Sequence, residues 1–322
     1  MAPPPGKGLL QTDSISLKLL EVGASTKKEF THCLSLKYEK ERYTPYSSFS
    51  GTFMLDLPIG EVFDAELYIN GNFIHKGIVD TLQTEEKSGF KTLKITSRSH
   101  TSMMGQNEVT PGVLTNVSLV TLMSNYIPIP NVYFENLTAT SNYIYIKEHS
   151  SLWEAVTNLC LKQYGTYPYV ANVNTVRFTV PSNPKTVTLS RDNGNILSCG
   201  SFWDYTKAIS HIHMANTEGT YNTFNQTDSL VTARNIIRHK HIAFDRQWLE
   251  NPSKSLEYRL NFGVRGYRQK FVEYLGYNGE DLNDILNFED IQNKKISRIQ
   301  IDGGESGIKT RLSCYFDRYN NL

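Results

Sequence analysis

The chain has 322 residues, 39% hydrophobic and 20% charged, and its 33 Lys and Arg nearly balance 32 Asp and Glu for a net charge of +1. That is apolar mass for two or three globular units. The near-neutral balance argues against a basic nucleic-acid binder and against an enzyme built for acidic substrates.

Four cysteines, Cys33, Cys160, Cys199 and Cys314, are far apart and form no CxxC pair or zinc-like Cys/His spacing, so they read as reduced, mostly buried thiols of a protein made in the cytoplasm. The start, MAPPPGKGLLQTD, has no apolar run after a basic segment, so no signal peptide is expected. No apolar run approaches the ~20 residues that cross a bilayer. Direct membrane binding is therefore not expected, and a role outside the cell would imply release by lysis or as part of a particle. The 19 tyrosines suit a β-rich chain with partner-facing surfaces, or simply a β protein.

Residues 1–13 read as a flexible arm rich in Pro and Gly. Residues 14–100 read as a first antiparallel β-barrel. Strands are predicted over 16–22, 30–42 and 47–57. Phe63, Ala65, Leu67 and Ile69 then alternate with polar residues and run into Asn70-Gly71, the signature of a type I′ hairpin because both turn positions need positive φ. The return strand is predicted over 73–82, with a turn at EEKSG and a further alternating strand around Leu93 and Ile95.

The period changes in residues 101–184, which read as an α/β module. Leu119, Leu122, Met123 and Tyr126 mark one face of a helix ended by Pro128. Ser151 and Glu154 form a capping box for a second helix whose apolar face is Leu152, Ala155, Val156 and Leu159, with Gly165 as its C-terminal cap. A hairpin over 167–180 turns at 172–174.

Residues 185–322 read as a second β-barrel. Strands are predicted at 186–189, 199–216 and 228–244. A helical insertion is predicted around 252–293, with short helices at Tyr267, Phe271, Tyr274 and Leu275 and at 281–288. A closing hairpin has arms from Ile296 to Ile301 and Ile308 to Phe316, with Asp302-Gly303-Gly304 as its turn. The fold class is thus α+β: two small antiparallel barrels, a helix-plus-hairpin module between them and a helical excursion near the C-terminus.

No motif commits to catalysis, a metal or a cofactor. His211/His213 and His239/His241 are each two apart, which on strands puts each pair on one face and could supply two metal ligands; with no third ligand pattern visible, polar positions on barrel strands are the favoured reading and no metal is expected. Ser99-His100 lacks a GxSxG context, and adjacent residues rarely meet as nucleophile and base. Glu85-Glu86 and Glu280-Asp281 sit in turn-like polar stretches, unlike the paired cleft carboxylates of a glycosidase. Asp302-Gly303-Gly304 has no following Lys-Ser/Thr and is no phosphate loop. Arg234, Arg238, Lys240 and Arg246 with Phe244 and Trp248 form a basic, aromatic run that could line a channel or simply face solvent or a subunit.

Four stretches in order resemble a known family. They are KITSRSHTSMMGQNEV, TPGVLTNVSLVTLMSNY, SSLWEAVTNLCLKQYGTYPYVANVNTVRFTVP and NILSCGSFWDYTKAISHIHMAN. They are similar to the strand and loop out of the first barrel, the first inter-barrel helix, the helix and hairpin, and the approach to the second barrel in the central baseplate hub of contractile phage tails and phage-tail-like bacteriocins, the late control protein D group. Residues 251–293 match least well. The resemblance implies tail-tube-like barrels and a homotrimer whose six barrels match a hexameric tail tube or tube-initiator protein above, with a trimeric central spike below and other baseplate proteins around. It further implies a structural role without catalysis, nucleic acid at most as cargo in the channel, and a place in a phage or bacteriocin particle released by lysis. A tail-tip peptidoglycan hydrolase and a distal-tail or receptor-binding protein of a non-contractile phage remain the alternatives.

Overall fold

A computed structural model describes residues 13–125, 128–316 and 318. Most of the predicted N-terminal arm, and Tyr126 of the predicted helix face, lie outside these residues. The first β region contains β1 (Ile15–Glu21), β2 (Lys28–Phe30), β3 (Cys33–Glu41), β4 (Ser47–Met54), β5 (Val62–Ile69), β6 (Asn72–Lys87) and β7 (Phe90–Ser99). Alternation decides their faces: in β4, Ser47, Phe49, Gly51 and Phe53 are buried while the residues between them are not. Asn70 and Gly71 make the expected hairpin, with φ of 50° and 76°.

The next turn differs from expectation. Glu85, Glu86 and Lys87 belong to β6, and the chain reverses at Ser88-Gly89, with φ of 52° and 81°. Opposite charges across the ladder explain this, since Glu85 pairs with Lys94 at 2.5 Å and Glu86 with Lys91 at 3.5 Å.

The α/β module begins with a short helix α1 (Met103–Gln106) and β8 (Gly112–Val117), followed by α2 (Leu119–Asn125), β9 (Tyr133–Phe134), β10 (Ser141–Ile146), α3 (Leu152–Tyr164), β11 (Tyr169–Ala171) and β12 (Thr175–Arg177). The capping box of α3 is complete: Glu154 N–H donates to Ser151 Oγ at 3.2 Å, and Ser151 N–H to Glu154 Oε2 at 2.9 Å. Gly165 caps the other end with φ of 66°. Residues from Met104 to Phe178 build a separate core here.

The remaining elements are β13 (Thr186–Thr188), β14 (Ile196–Trp203), β15 (His211–Met214), β16 (Phe224–Thr227), α4 (Ser229–Thr232), β17 (His239–Ile242), α5 (Pro252–Gly263), β18 (Arg268–Leu275), β19 (Ile285–Phe288), β20 (Ile291–Lys295), β21 (Arg298–Gly304) and β22 (Gly307–Tyr315). The two β regions join in one curled antiparallel sheet of eleven strands, ordered β14-β18-β22-β21-β3-β4-β7-β6-β5-β1-β2. The join is β21 on β3, paired from Arg298↔Glu41 to Gly304↔Ser35. One core lies under both regions, from Leu17, Phe53 and Leu67 to Ile299 and Leu312, and β13, β19 and β20 help to close it.

Several predictions for the second β region are corrected. The long strands at 199–216 and 228–244 break up, the first at a turn after Trp203 and the second into α4 and β17. Of the helical insertion, only α5 is helical. Residues 268–275 form a strand in which Val272 and Tyr274 are fully buried and alternate with half-exposed neighbours, so the helix-like spacing of Tyr267, Phe271 and Tyr274 was coincidental. Residues 285–288 form β19, parallel to β13. The true insertion is residues 204–267, because β14 and β18 on either side of it pair directly.

Asp302, Gly303 and Gly304 are strand residues, and the reversal falls at Glu305-Ser306. The glycines serve close approach instead. A Cβ on Gly303 would lie 2.6 Å from the Ile15 side chain, and one on Gly304 2.6 Å from the Leu34 carbonyl oxygen.

Candidate functional site

The largest continuous feature is the solvent face of the curled sheet. Alternation sends Leu36, Tyr38, Phe49, Phe53, Ile299 and Ile301 into the core and leaves Lys37, Glu39, Ser48, Ser50, Gln300 and Asp302 outside. These outward residues, with Thr96 and Arg98 of β7 and Lys309 and Arg311 of β22, line a groove of about 590 Å³ running across β3, β4, β7, β21 and β22. A second groove continues it past Thr52, Thr81 and Lys94.

The surface is stiffened by cross-strand pairs. Arg98 holds Asp80 through two hydrogen bonds of 2.7 and 2.8 Å, Arg298 holds Glu39 at 2.8 Å, and the hydroxyls of Thr81 and Thr96 meet at 2.6 Å. Four cations (Lys37, Arg98, Lys309, Arg311) face four anions (Glu39, Asp80, Glu273, Asp302) around the first groove, so it carries no dominant field. The chemistry offered is wet, reciprocal hydrogen bonding to a broad partner or passage.

At one end the sheet stops on β14. Its side chains stand out on both faces, with Leu197, Phe202 and Trp203 46%, 49% and 55% exposed. An exposed apolar edge strand presents unpaired backbone groups to another chain.

Ser99 is buried; its Oγ accepts from Ser47 N–H at 3.1 Å and lies 2.8 Å from Thr101 Oγ1. His100 turns away to Asp64, with Nε2 2.8 Å from Oδ1. The two residues therefore share no reaction centre. Another Ser/His contact exists deep under the sheet, where His75 lies 2.9 Å from both Ser47 Oγ and Ser97 Oγ. Burial drives its pKa down to about 3, with His100 and Lys40 adding to the effect. It is a neutral, enclosed hydrogen-bonding hub of the core, with Phe49 edge-on to its ring at 4.9 Å.

Glu280-Asp281 is not a solvated turn. Glu280 is buried and accepts from Tyr274 Oη and from Asn278 N–H, while Asp281 accepts from buried Lys40 and from Asn172 N–H. Lys40 also donates to the Asn172 carbonyl. This cluster ties β3, the β11–β12 hairpin and the C-terminal region together, and two adjacent acids in sequence gave no sign of it.

The basic run is dispersed. Arg238 donates to the carbonyls of Tyr205 and Thr206 at 2.8 and 2.6 Å, Arg234 stacks on Tyr205, and Arg246 stacks on Tyr145. The four histidines are instead brought together: β15 and β17 pair in parallel with His211 opposite His239 and His213 opposite His241. All four cysteines are free thiols, three of them buried, and burial pushes those of Cys33 and Cys314 up to about 12.

No protein-family model and no curated protein sequence matches the chain. Solved structures do. The chain is similar to the tail protein from Neisseria meningitidis MC58, with a TM-score of 0.68 and 17% identity over 96% of this chain and 98% of that one. It is similar to the 43 kDa tail protein of prophage MuSo2 from Shewanella oneidensis, with a TM-score of 0.69 and 14% identity over 94% and 98%. It is also similar to an E. coli type VI secretion component described as resembling the phage T4 tail proteins gp27 and gp5, with a TM-score of 0.55 and 10% identity over 94% and 78%. The chain has the fold of these tail and secretion proteins, as the resemblance drawn from its sequence implied.

Proposed function

We propose that this chain is the structural hub subunit of a contractile phage tail or bacteriocin baseplate. Three copies form a ring that joins the hexameric tail tube, or its initiator protein, to the trimeric central spike. The observation that carries the reading is the fold shared with phage tail proteins over almost the entire length of both chains.

Three further features support it. The sheet joins seven strands of the first β region to four of the second, so a trimer would present six β segments to a six-fold tube. The charge-balanced groove suits the wall of a passage or a wet assembly contact. In a ring the exposed apolar side chains of β14 would be covered by a neighbour. The subunit needs no catalysis of its own for this role, and other baseplate proteins would surround it.

The test is to locate the chain in particles purified from lysed producer cells by antibody labelling under the electron microscope. Label at the junction of tube and spike is expected. Label on tail fibres, or absence from intact particles, would reject the proposal.

A further inference from the structure

We propose that His211, His213 and His239 form a binding site for one divalent transition-metal cation of the zinc and nickel class, on the solvent face of the inserted module. The hub reading neither requires this site nor predicts it.

The site is built by strand register. Residues two apart on one strand face the same way, and in-register parallel pairing sets the second His-X-His beside the first. The opposite face of the same strands is fixed, since Ile212 and Met214 are fully buried against Leu256 and Leu260 of α5. The rings consequently form a ladder. His211 and His239 stack with centroids 4.3 Å apart, His213 and His239 lie 5.2 Å apart with planes within 1°, and His213 and His241 are 4.7 Å apart.

The outer hydrogen bonds fix where the lone pairs are. Ser210 Oγ donates to the Arg238 carbonyl at 3.0 Å, so its 2.8 Å contact with His211 Nδ1 is a bond donated by the imidazole. That leaves His211 Nε2 bare. Asn225 Oδ1 accepts from His213 Nδ1 at 2.6 Å, which puts the lone pair of His213 on Nε2. His213 Nε2 lies 2.9 Å from His239 Nδ1, so His239 donates there and keeps its own Nε2 as a lone pair. An imidazole whose second nitrogen is held by a hydrogen bond is the usual form of a metal-ligating histidine.

Charge does not oppose the cation. Desolvation and the three neighbouring imidazoles hold His239 below its usual pKa, which favours the neutral ligand form. Arg238 is committed to backbone carbonyls, and Lys240 lines a cleft with α5 and α3 residues. Among the described residues no three donors already converge on one point. Tetrahedral nitrogens at 2.0–2.1 Å from a metal stand about 3.3 Å apart, so a bound ion must displace the His239 Nδ1–H bond from His213 Nε2 and turn the stacked rings until the three Nε2 atoms converge. The His213 and His239 rings reach solvent.

The experiment is a calorimetric titration of Zn2+ into the full, untagged, chelator-treated chain near neutral pH. One ion per chain is expected. His213→Asn and His239→Asn should each weaken binding on the order of tenfold or more, while His149→Asn, a change at a distant exposed site, should not. As a measurement independent of any variant, Co2+ added to the parent chain should give the visible absorption of a tetrahedral nitrogen site, lost when a chelator is added. No Zn2+ uptake by the parent, or uptake unchanged in both ladder variants, would overturn the proposal.

Discussion

His75 makes the fold pH-dependent in a way that can be calculated. Its ring is fully buried between the hydroxyls of Ser47 and Ser97, and its folded pKa lies at about 3. In the unfolded chain it titrates near 6.5. A histidine whose folded pKa is depressed contributes its full stability above the unfolded value and loses it as pH falls below about 6.5 toward the folded value. Between pH 7 and pH 5 the unfolded state takes up this proton and the folded state does not, a loss of about 2 kcal/mol. Because pH 5 is well above the folded pKa, the loss depends on the unfolded value and hardly on how far below pH 5 the folded one lies. Urea unfolding followed by circular dichroism should therefore show the parent losing about 2 kcal/mol more than His75→Gln between these two pH values. Equal pH dependence in the two proteins would refute a neutral, enclosed His75.

Other perturbations follow from packing and pairing. A Cβ on Gly77 would sit 2.0 Å from the Arg98 carbonyl oxygen across the β6–β7 ladder, so Gly77→Ala should lower the melting temperature sharply or leave the protein insoluble. Asp281→Ala leaves the buried Lys40 ammonium, among the described residues, with only the Asn172 carbonyl, and should destabilise by about 3–5 kcal/mol in urea titration. Ser151→Ala removes one arm of the α3 capping box and should cost about 1 kcal/mol, read as faster amide exchange in α3. Leu67→Ala, at a fully buried position under the sheet, should cost about 2–5 kcal/mol by the same titration.

Local chemistry was legible in the sequence wherever it was self-sufficient. Asn70-Gly71 needs only its own positive φ, and the box of Ser151 and Glu154 only its own helix, so both could be read directly. The charged end of β6 was misread as a turn because Glu85 and Glu86 gain their strand character from Lys94 and Lys91 on the partner strand. Gly303 and Gly304 looked like turn residues, yet what demands glycine there is the approach of Ile15 and Leu34. Both depend on residues distant in the chain.

The union of the two β regions was hidden for the same reason. It rests on contacts such as Arg298 to Glu39, separated by 259 residues, and no window of sequence displays that pairing. The candidate sites follow this pattern. Each His-X-His pair was visible, but the ladder exists only because β15 and β17 lie side by side. The Lys40, Asp281 and Asn172 cluster likewise joins three distant segments, and its acid looks like an ordinary surface residue in the sequence.

The proposed hub places three copies of the chain between a tube and a spike. The most direct test is the solution mass, by light scattering after size-exclusion chromatography, of the chain combined with tube and spike proteins of the same particle. A complex holding three copies of the 36.7 kDa chain is the predicted result. A chain that stays monomeric and elutes apart from both partners at every concentration would contradict it.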